Sequence, residues 1–362
     1  MKREKNTFRD ITPEVKEKMK KNLVYVSIFS VAMVFAGLTS GYIVSMGDSI
    51  WVKFPLPTAF WISTAVIVTS SLTYFLAVKS SKKDDFSKTR FFSIVTLILG
   101  LTFVYFQFKG YGKLIEKGSH LVGNIMTVEG RYGSVGEDGR YYGYYELKYK
   151  GQYISIDGND YMVSGRKMSS EEFKAFQNFM LPFEDMNIKE SIQIENYGKE
   201  FELFYKQQPL TYKKGVFTLP NGKNLQYVDL MRLKSLAINV GDGRGDFFIT
   251  GKLGTDFHIY YKGKELEYEN REWKYKGQKL DDYLQTKPLE SPDTASSYLY
   301  VITFLHLLHI MGTLLFLIKV VRISFSSNYT FERKLSIKLG SIFWHFLGLL
   351  WLYLLLFLLF IH

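Results

Sequence analysis

The chain has 362 residues, a formal net charge of +11 and no cysteine, so disulfides, iron–sulfur clusters and thiolate chemistry are excluded. Its 22% of charged residues and near-zero mean hydropathy of −0.05 would suit an ordinary soluble protein of two or three domains. The charges are nevertheless confined, because Asn22–Gly47, Phe54–Val78, Phe91–Phe108, Thr294–Ile318 and Leu339–His362 hold no Asp, Glu, Lys or Arg. A helix needs ~20 apolar residues to cross the ~30 Å hydrocarbon layer. The predicted fold class is an all-α membrane bundle of five transmembrane helices with an inserted β-rich α+β extramembrane domain.

In chain order, residues 1–22 form a hydrophilic, basic tail. The apolar run behind it is too long for a signal-peptide core and carries no cleavage pattern, so it stays as the first membrane helix. Gly37 and Gly41 form a GxxxG pair there, a spacing that lets a second helix pack closely. The first three helices occupy 23–112. The shortest apolar run, Phe91–Phe108, extends by snorkelling of Lys109 and the ring of Tyr111.

Residues 113–293 change character and become rich in Tyr, Gly and charge. Alternating segments such as Tyr141–Ile156 read as strands joined by glycine turns. Ser169–Met180 opens with a helix N-cap pattern. Tyr149, Tyr205 and Tyr261 recur every 56 residues, within Leu147–Ile156, Leu203–Tyr212 and Ile259–Tyr268. Gly165, Gly222 and Gly277 follow, with Met168, Leu225 and Leu280 three residues later. A fixed period argues for one supersecondary unit copied three times. Each copy is expected to run strand–turn–strand(–strand) and then a short helix. The aromatic residues suit either the core of the repeat or a docking surface. Gly241–Asp246 reads as a turn, and neither it nor Asp157–Asp160 has calcium-loop spacing.

The last two membrane helices lie in 294–362. His306 and His309 share a helical face, and Trp344 and His345 follow in the final helix. Three histidines inside membrane helices are functional-site candidates by default. Three readings stand: heme ligation by His309 with His345, a diiron site, and interhelical hydrogen bonding with lipid-headgroup contact. A diiron site needs more histidines than the six in the chain. No carboxylate lies within any apolar run, which argues against a stand-alone pump. No nucleotide-binding loop, Ser/His/Asp set or zinc spacing is present.

Charge sets the expected orientation. The tail to Lys21 carries +4, the Lys79–Arg90 loop +3 and the Lys319–Lys338 loop +4, while the loop holding Asp48 and Lys53 is neutral. By the positive-inside rule the N-terminus is cytoplasmic, and the insertion and C-terminus lie on the opposite side. The basic balance is thus spent on topology, and no nucleic-acid partner is expected.

The helices carry an ordered set of motifs: Phe35–Leu38, the Leu-Pro-x-x-Phe-Trp of Leu56–Trp61, Leu99-Gly100 with Gln107, the Tyr-x-x-Thr-x-x-His-x-x-His of Tyr300–His309, and Trp344-His345-Phe346 with Trp351 six residues after the histidine. In order and spacing this resembles the five-helix bacterial form of heme-copper oxidase subunit III, across all five helices and about half of the chain. The resemblance implies an accessory subunit without redox centres. It would pack on oxidase subunits I and II, which would hold the hemes and copper, and it would bind structural phospholipid. The expected contact residues are His306, His309, Trp344, His345, Gln107 and Trp61, acting as lipid-binding or interhelical polar groups. No catalytic residue or metal site is expected in this chain.

Three positions where the family usually has an acidic residue are Val31, Gly110 and Gly348 here, and Phe304 and Leu307 replace glycines flanking the histidine pair. The carboxylates linked to proton uptake in the family are therefore missing. The expected setting is aerobic respiration in a bacterial cytoplasmic membrane. The periplasmic insertion would dock cytochrome c or a neighbouring respiratory complex. The alternatives are a subunit III-like partner of a nitric oxide reductase, or a membrane-anchored periplasmic docking protein.

Overall fold

A computed structural model describes residues 12–126, 145–184, 193–194, 197–243, 245, 247, 249, 251–269, 272–325 and 330–361. The chain divides into two compact units. One is Met1–Val122 with Tyr260–Gly263 and Thr294–His362; the other is Gly123–Ile259 with Lys264–Asp293. Five helices of the first unit are long and apolar enough to cross a membrane, which makes the chain a multi-pass membrane protein.

Helix α1 (Pro13–Met46) starts well inside the segment read from sequence as a polar tail. Pro13 suits a first helical turn, where its missing N–H is not needed. Glu17 and Lys21 then pair one turn apart at 2.6 Å. After the short strand β1 (Ile50–Lys53) come α2 (Thr58–Lys82) and α3 (Phe86–Glu116). The Asp85 carboxylate caps α3 by accepting from the Lys88 N–H at 3.1 Å, so this helix begins before its charge-free run.

The insertion opens on a stem in which Asn124 bridges Pro292 and the Asp293 N–H donates to the Gly123 carbonyl at 2.8 Å. Three successive stretches then run strands first and helix last. The first holds β2 (Tyr145–Tyr149), β3 (Gln152–Asp157), β4 (Asp160–Val163), β5 (Arg166–Lys167) and α4 (Ser170–Glu184). The second holds β6 (Phe201–Tyr205), β7 (Gln208–Pro209), β8 (Thr211–Lys213), β9 (Val216–Thr218) and α5 (Tyr227–Gly241). The third holds β10 (His258–Tyr261), β11 (Lys264–Glu269), β12 (Glu272–Tyr275), β13 (Gln278–Lys279) and α6 (Asp282–Glu290). Residues 141–144 of the strand read at Tyr141–Ile156, and 244 and 246 of the 241–246 turn, lie outside the described residues.

Similar hairpin turns recur in the three stretches. Lys150-Gly151, Lys262-Gly263, Ser164-Gly165 and Lys276-Gly277 all have positive φ at both residues. That is the turn whose twist matches paired antiparallel strands. At the matching place the second stretch has Lys206-Gln207, with φ of 47° and 65°, so an ordinary side chain holds a conformation that favours glycine.

The first two stretches share a core. β2 pairs with β6, setting Leu147 opposite Leu203, in a six-stranded antiparallel sheet ordered β5-β4-β3-β2-β6-β7. Phe176, Met180 and Phe183 of α4 and Leu233 and Val240 of α5 are fully buried against it. Each such side chain contributes on the order of 2 kcal/mol. In the third stretch Trp273 is fully buried beside Tyr268 and Phe247.

The chain re-enters the bundle with α7 (Thr294–Ser324) and ends with α8 (Phe331–Phe360). α3 approaches α7 and α8 closely at Gly100, where an added β-carbon would come within 2.8 Å of Leu314 and Trp344. α2 meets α3 at Gly110, where it would lie 2.2 Å from the Phe60 ring. α1 is held less fully. Only 11% of its most apolar window is buried, against 50% in α8. Its ties include Thr39 to Tyr353 at 2.9 Å and an edge-on Tyr42–Phe357 contact.

Candidate functional site

α2 carries hydroxyls at Ser63, Thr64, Ser70 and Thr73, and these reach the two helices packed against it. Gln107 of α3 donates through Nε2 to Ser63 Oγ at 2.9 Å. Trp351 and Trp344 of α8 donate their indole N–H groups to Thr64 Oγ1 at 2.9 Å and to Ser70 Oγ at 3.1 Å. Thr73 and Thr96 of α3 share a hydrogen bond of 2.8 Å. Small hydroxyl residues do this well in a membrane helix, since their spare valence closes on the i−4 or i−3 carbonyl. Ser63 and Thr64 both bond back to the Phe60 carbonyl, at 2.8 and 2.7 Å.

The histidines have three different surroundings. His306 is wholly buried and lies nearly parallel to the Trp351 indole, with Phe35 and Phe103 edge-on to it. Among the described residues neither of its ring nitrogens has a hydrogen-bond partner. His309, one turn along, is half-buried and its Nδ1 lies 2.7 Å from the Leu305 carbonyl. His345 Nε2 lies 3.0 Å from Ser341 Oγ on its own helix. The Trp61 side chain points outward and is 47% exposed. Gln107 and Trp344 thus bond across helices, His309 and His345 bond within one, and His306 packs by its ring faces alone.

Of the glycine pair, Gly41 faces Tyr298, whose hydroxyl lies 3.2 Å from the position of an added β-carbon. At Gly37 such an atom would meet nothing of this chain within 4 Å. Tyr149 and Tyr205 are buried in the insertion, Tyr149 against Phe201 and Tyr205 donating its hydroxyl to Asp229. Tyr261 is half-buried at the end of β10. Lys150, Lys206 and Lys262 each stand over the ring of the tyrosine just before them, at 4.8, 5.3 and 5.2 Å.

Trp351 was legible only as part of a motif, and sequence alone did not single it out as the partner of His306. Ser63, Thr64 and Ser70 were missed as well. Their signal is the run of hydroxyls along α2, with Ser63 and Ser70 seven residues apart and so on one face. Among the described residues no three His, Cys, Asp or Glu side chains gather as a metal site. The seam joins α2, α3 and α8 with directional bonds in a medium where no water competes for them. No family model and no curated protein matches the chain.

Proposed function

We propose that this chain is an accessory subunit III of a bacterial heme-copper terminal oxidase. It carries no redox centre of its own, stabilises subunit I and holds structural phospholipid. The reading is carried by one observation. Gln107, His306, Trp344 and Trp351, all drawn from the resemblance motifs on three different helices, are buried at one set of helix contacts as bonding or stacking groups. Residues used up in this way suit a scaffold. The large lipid-facing area of α1 leaves room for a partner subunit. In this reading the membrane is the cytoplasmic one, the lysine-rich ends of the helices face the cytoplasm, and the insertion lies in the periplasm, docking a cytochrome c or a neighbouring complex.

Purification in mild detergent, followed by subunit identification and an absorption spectrum, tests it. The expected result is co-purification with a large heme-bearing subunit and a copper-bearing one. A chain that purifies alone, with no Soret band in its fractions, overturns it. Heme without copper in the assembly favours the nitric oxide reductase partner. For the insertion, removal of Gly123–Glu290 is expected to leave oxidase content intact and to lose the periplasmic partner; unchanged partners would defeat the docking role.

A further inference from the structure

Phe103, Gln107 and Tyr111 follow one another a turn apart on the inner face of α3. The Phe103 ring lies 6.2 Å from His306 of α7, and the Tyr111 ring 5.6 Å from Tyr300. The two helices therefore run antiparallel, and Gln107 sits level with Thr303. Gln107, Tyr111, Thr303 and His306 are all more than nine-tenths buried. Among the described residues, however, Gln107 Oε1, the Tyr111 hydroxyl and both ring nitrogens of His306 have no hydrogen-bond partner. We propose that this part of the α3–α7 contact is a water-binding site, whose water molecules bridge His306 of α7 to Gln107 and Tyr111 of α3. The proposal goes beyond the subunit reading and stands whichever complex the chain joins.

Three observations select water. The first is the number of unmet groups. Buried polar atoms without a partner are rare in native proteins and commonly mark a bound water or ion. Here four of them stand on two facing helices, in a layer where bulk solvent cannot satisfy them. A neutral imidazole offers one donor and one acceptor at separate ring positions, so His306 needs two partners. Its neighbours Phe35 and Phe103 offer only rings, and the Trp351 N–H is already given to Thr64.

The second is chemistry. The carboxamide oxygen accepts, the imidazole both donates and accepts, and the phenol can do either. The Thr303 hydroxyl is spent as a donor on the Leu299 carbonyl at 2.7 Å, which leaves its oxygen able to accept. Water matches such a mixed, neutral set. An ion would need an opposite charge, and Phe91–Phe108 and Thr294–Ile318 contain no Asp, Glu, Lys or Arg. The third is a path. Beyond Tyr111 the polar groups continue to the place where α3 ends and α7 begins. There Tyr300 donates to the Ser119 carbonyl at 2.9 Å, and Ser119 donates to Ser296 at 3.0 Å. Water enters along this track and stops at His306, where Trp351 and Phe103 close it.

The test is solid-state NMR of the full-length, isotope-labelled chain, with whatever partners co-purify, in phosphatidylcholine bilayers. It reads magnetisation transfer from water to side-chain nitrogens. Transfer is expected at the His306 ring and the Gln107 carboxamide. None is expected at the Trp344 indole, which is as deeply buried but already donates to Ser70 at 3.1 Å. Tyr111→Phe with Thr303→Val keeps the bulk of both side chains, removes the two hydroxyls and should abolish transfer to His306. Tyr111→Phe alone, which should reduce it, is the second variant should the pair fail to fold. An unaltered chain with no transfer to His306 overturns the proposal, as does undiminished transfer in a folded variant. Equal transfer at Trp344 overturns it too, since that marks general entry of water into the bundle and not a site. Loss of heme-bearing subunits from the preparation bears on the oxidase reading alone.

Discussion

The His306 imidazole lies against the Trp351 indole, ring centroids 5.5 Å apart and planes 27° apart, while the same indole donates to Thr64 at 2.9 Å. One tryptophan therefore orients a buried histidine on α7 through its face and ties down α2 through its edge.

The hydrogen-bonding role of that tryptophan separates from its packing role. Thr64→Val keeps the shape and removes the acceptor, and is expected to cost about 0.6 kcal/mol, the average for polar contacts between membrane helices, and no more than about 1.7 kcal/mol. Trp351→Ala also removes the stacking surface, and about 3–5 kcal/mol is expected for an emptied aromatic site. Unfolding titrations in mixed detergent micelles would show the two costs. Equal losses from the two variants would contradict the division.

Gly110 brings α3 onto the Phe60 ring of α2. Gly110→Ala should destabilise the bundle by about 1–3 kcal/mol, as overpacking does, because its β-carbon would fall 2.2 Å from Phe60. Phe60→Leu in the same chain should recover part of the loss. Gly37→Ala, with open space around it in this chain, should leave the thermal midpoint unchanged. If the proposed oxidase complex forms, a loss of its other subunits in that variant alone would mark Gly37 as an intermolecular contact.

In the insertion, Glu172 accepts from Arg166 at 2.7 and 2.8 Å and from the Ser169 N–H at 2.8 Å, while Ser169 Oγ caps α4 in return. The Arg166 guanidinium, then the Ser169 N–H, hold its carboxyl down at about 2, below the ordinary value of 4.5. A depressed carboxyl contributes stability that is present above its unfolded pKa and is lost as pH falls through the folded one. Between pH 4.5 and about 2, amide exchange in the first turn of α4, corrected for its intrinsic rate, should therefore rise. In Glu172→Gln that pH dependence should disappear.

Gln207 holds φ of 65° at a turn position that is Gly151 and Gly263 in the other two stretches. Replacement by glycine relieves a left-handed conformation that costs an ordinary residue about 1–2 kcal/mol, offset in part by the freer unfolded chain. Gln207→Gly is expected to stabilise the insertion by about 0.5–1 kcal/mol, seen as a raised unfolding midpoint. Gly151→Gln, with φ of 82°, should lower it.

The five membrane helices were legible because exclusion of charge is a long-range, additive signal, and the strands because Lys-Gly and Ser-Gly turns fix hairpins locally. Helix ends were less so. α1 begins at Pro13 because pairs such as Glu17–Lys21 let a polar stretch stay helical, a preference that hydropathy does not register. The second stretch splits into β7 and β8 around Pro209, whose missing N–H cannot serve a continuous ladder. The site was legible as residue types only. His306 and His309 lie three residues apart with the same side chain, and differ because Trp351 and Phe103 close over one while the other stays half-buried beside the Leu305 carbonyl. That difference arises from partners distant in the chain, which spacing along one helix does not contain.

The stem of the insertion bears on the order in which the protein folds. Asn124 and Gly123 meet Pro292 and Asp293 through backbone contacts, so the many residues between them begin and end at nearly one point. Loop-closure entropy rises only with the logarithm of length, about 0.6 kcal/mol per doubling. The added domain thus places little entropic burden on the pairing of α7 with the earlier helices. Those helices can assemble during synthesis whether or not the strands outside have found their register, and a ribosome pausing within the insertion would delay the bundle without misdirecting it.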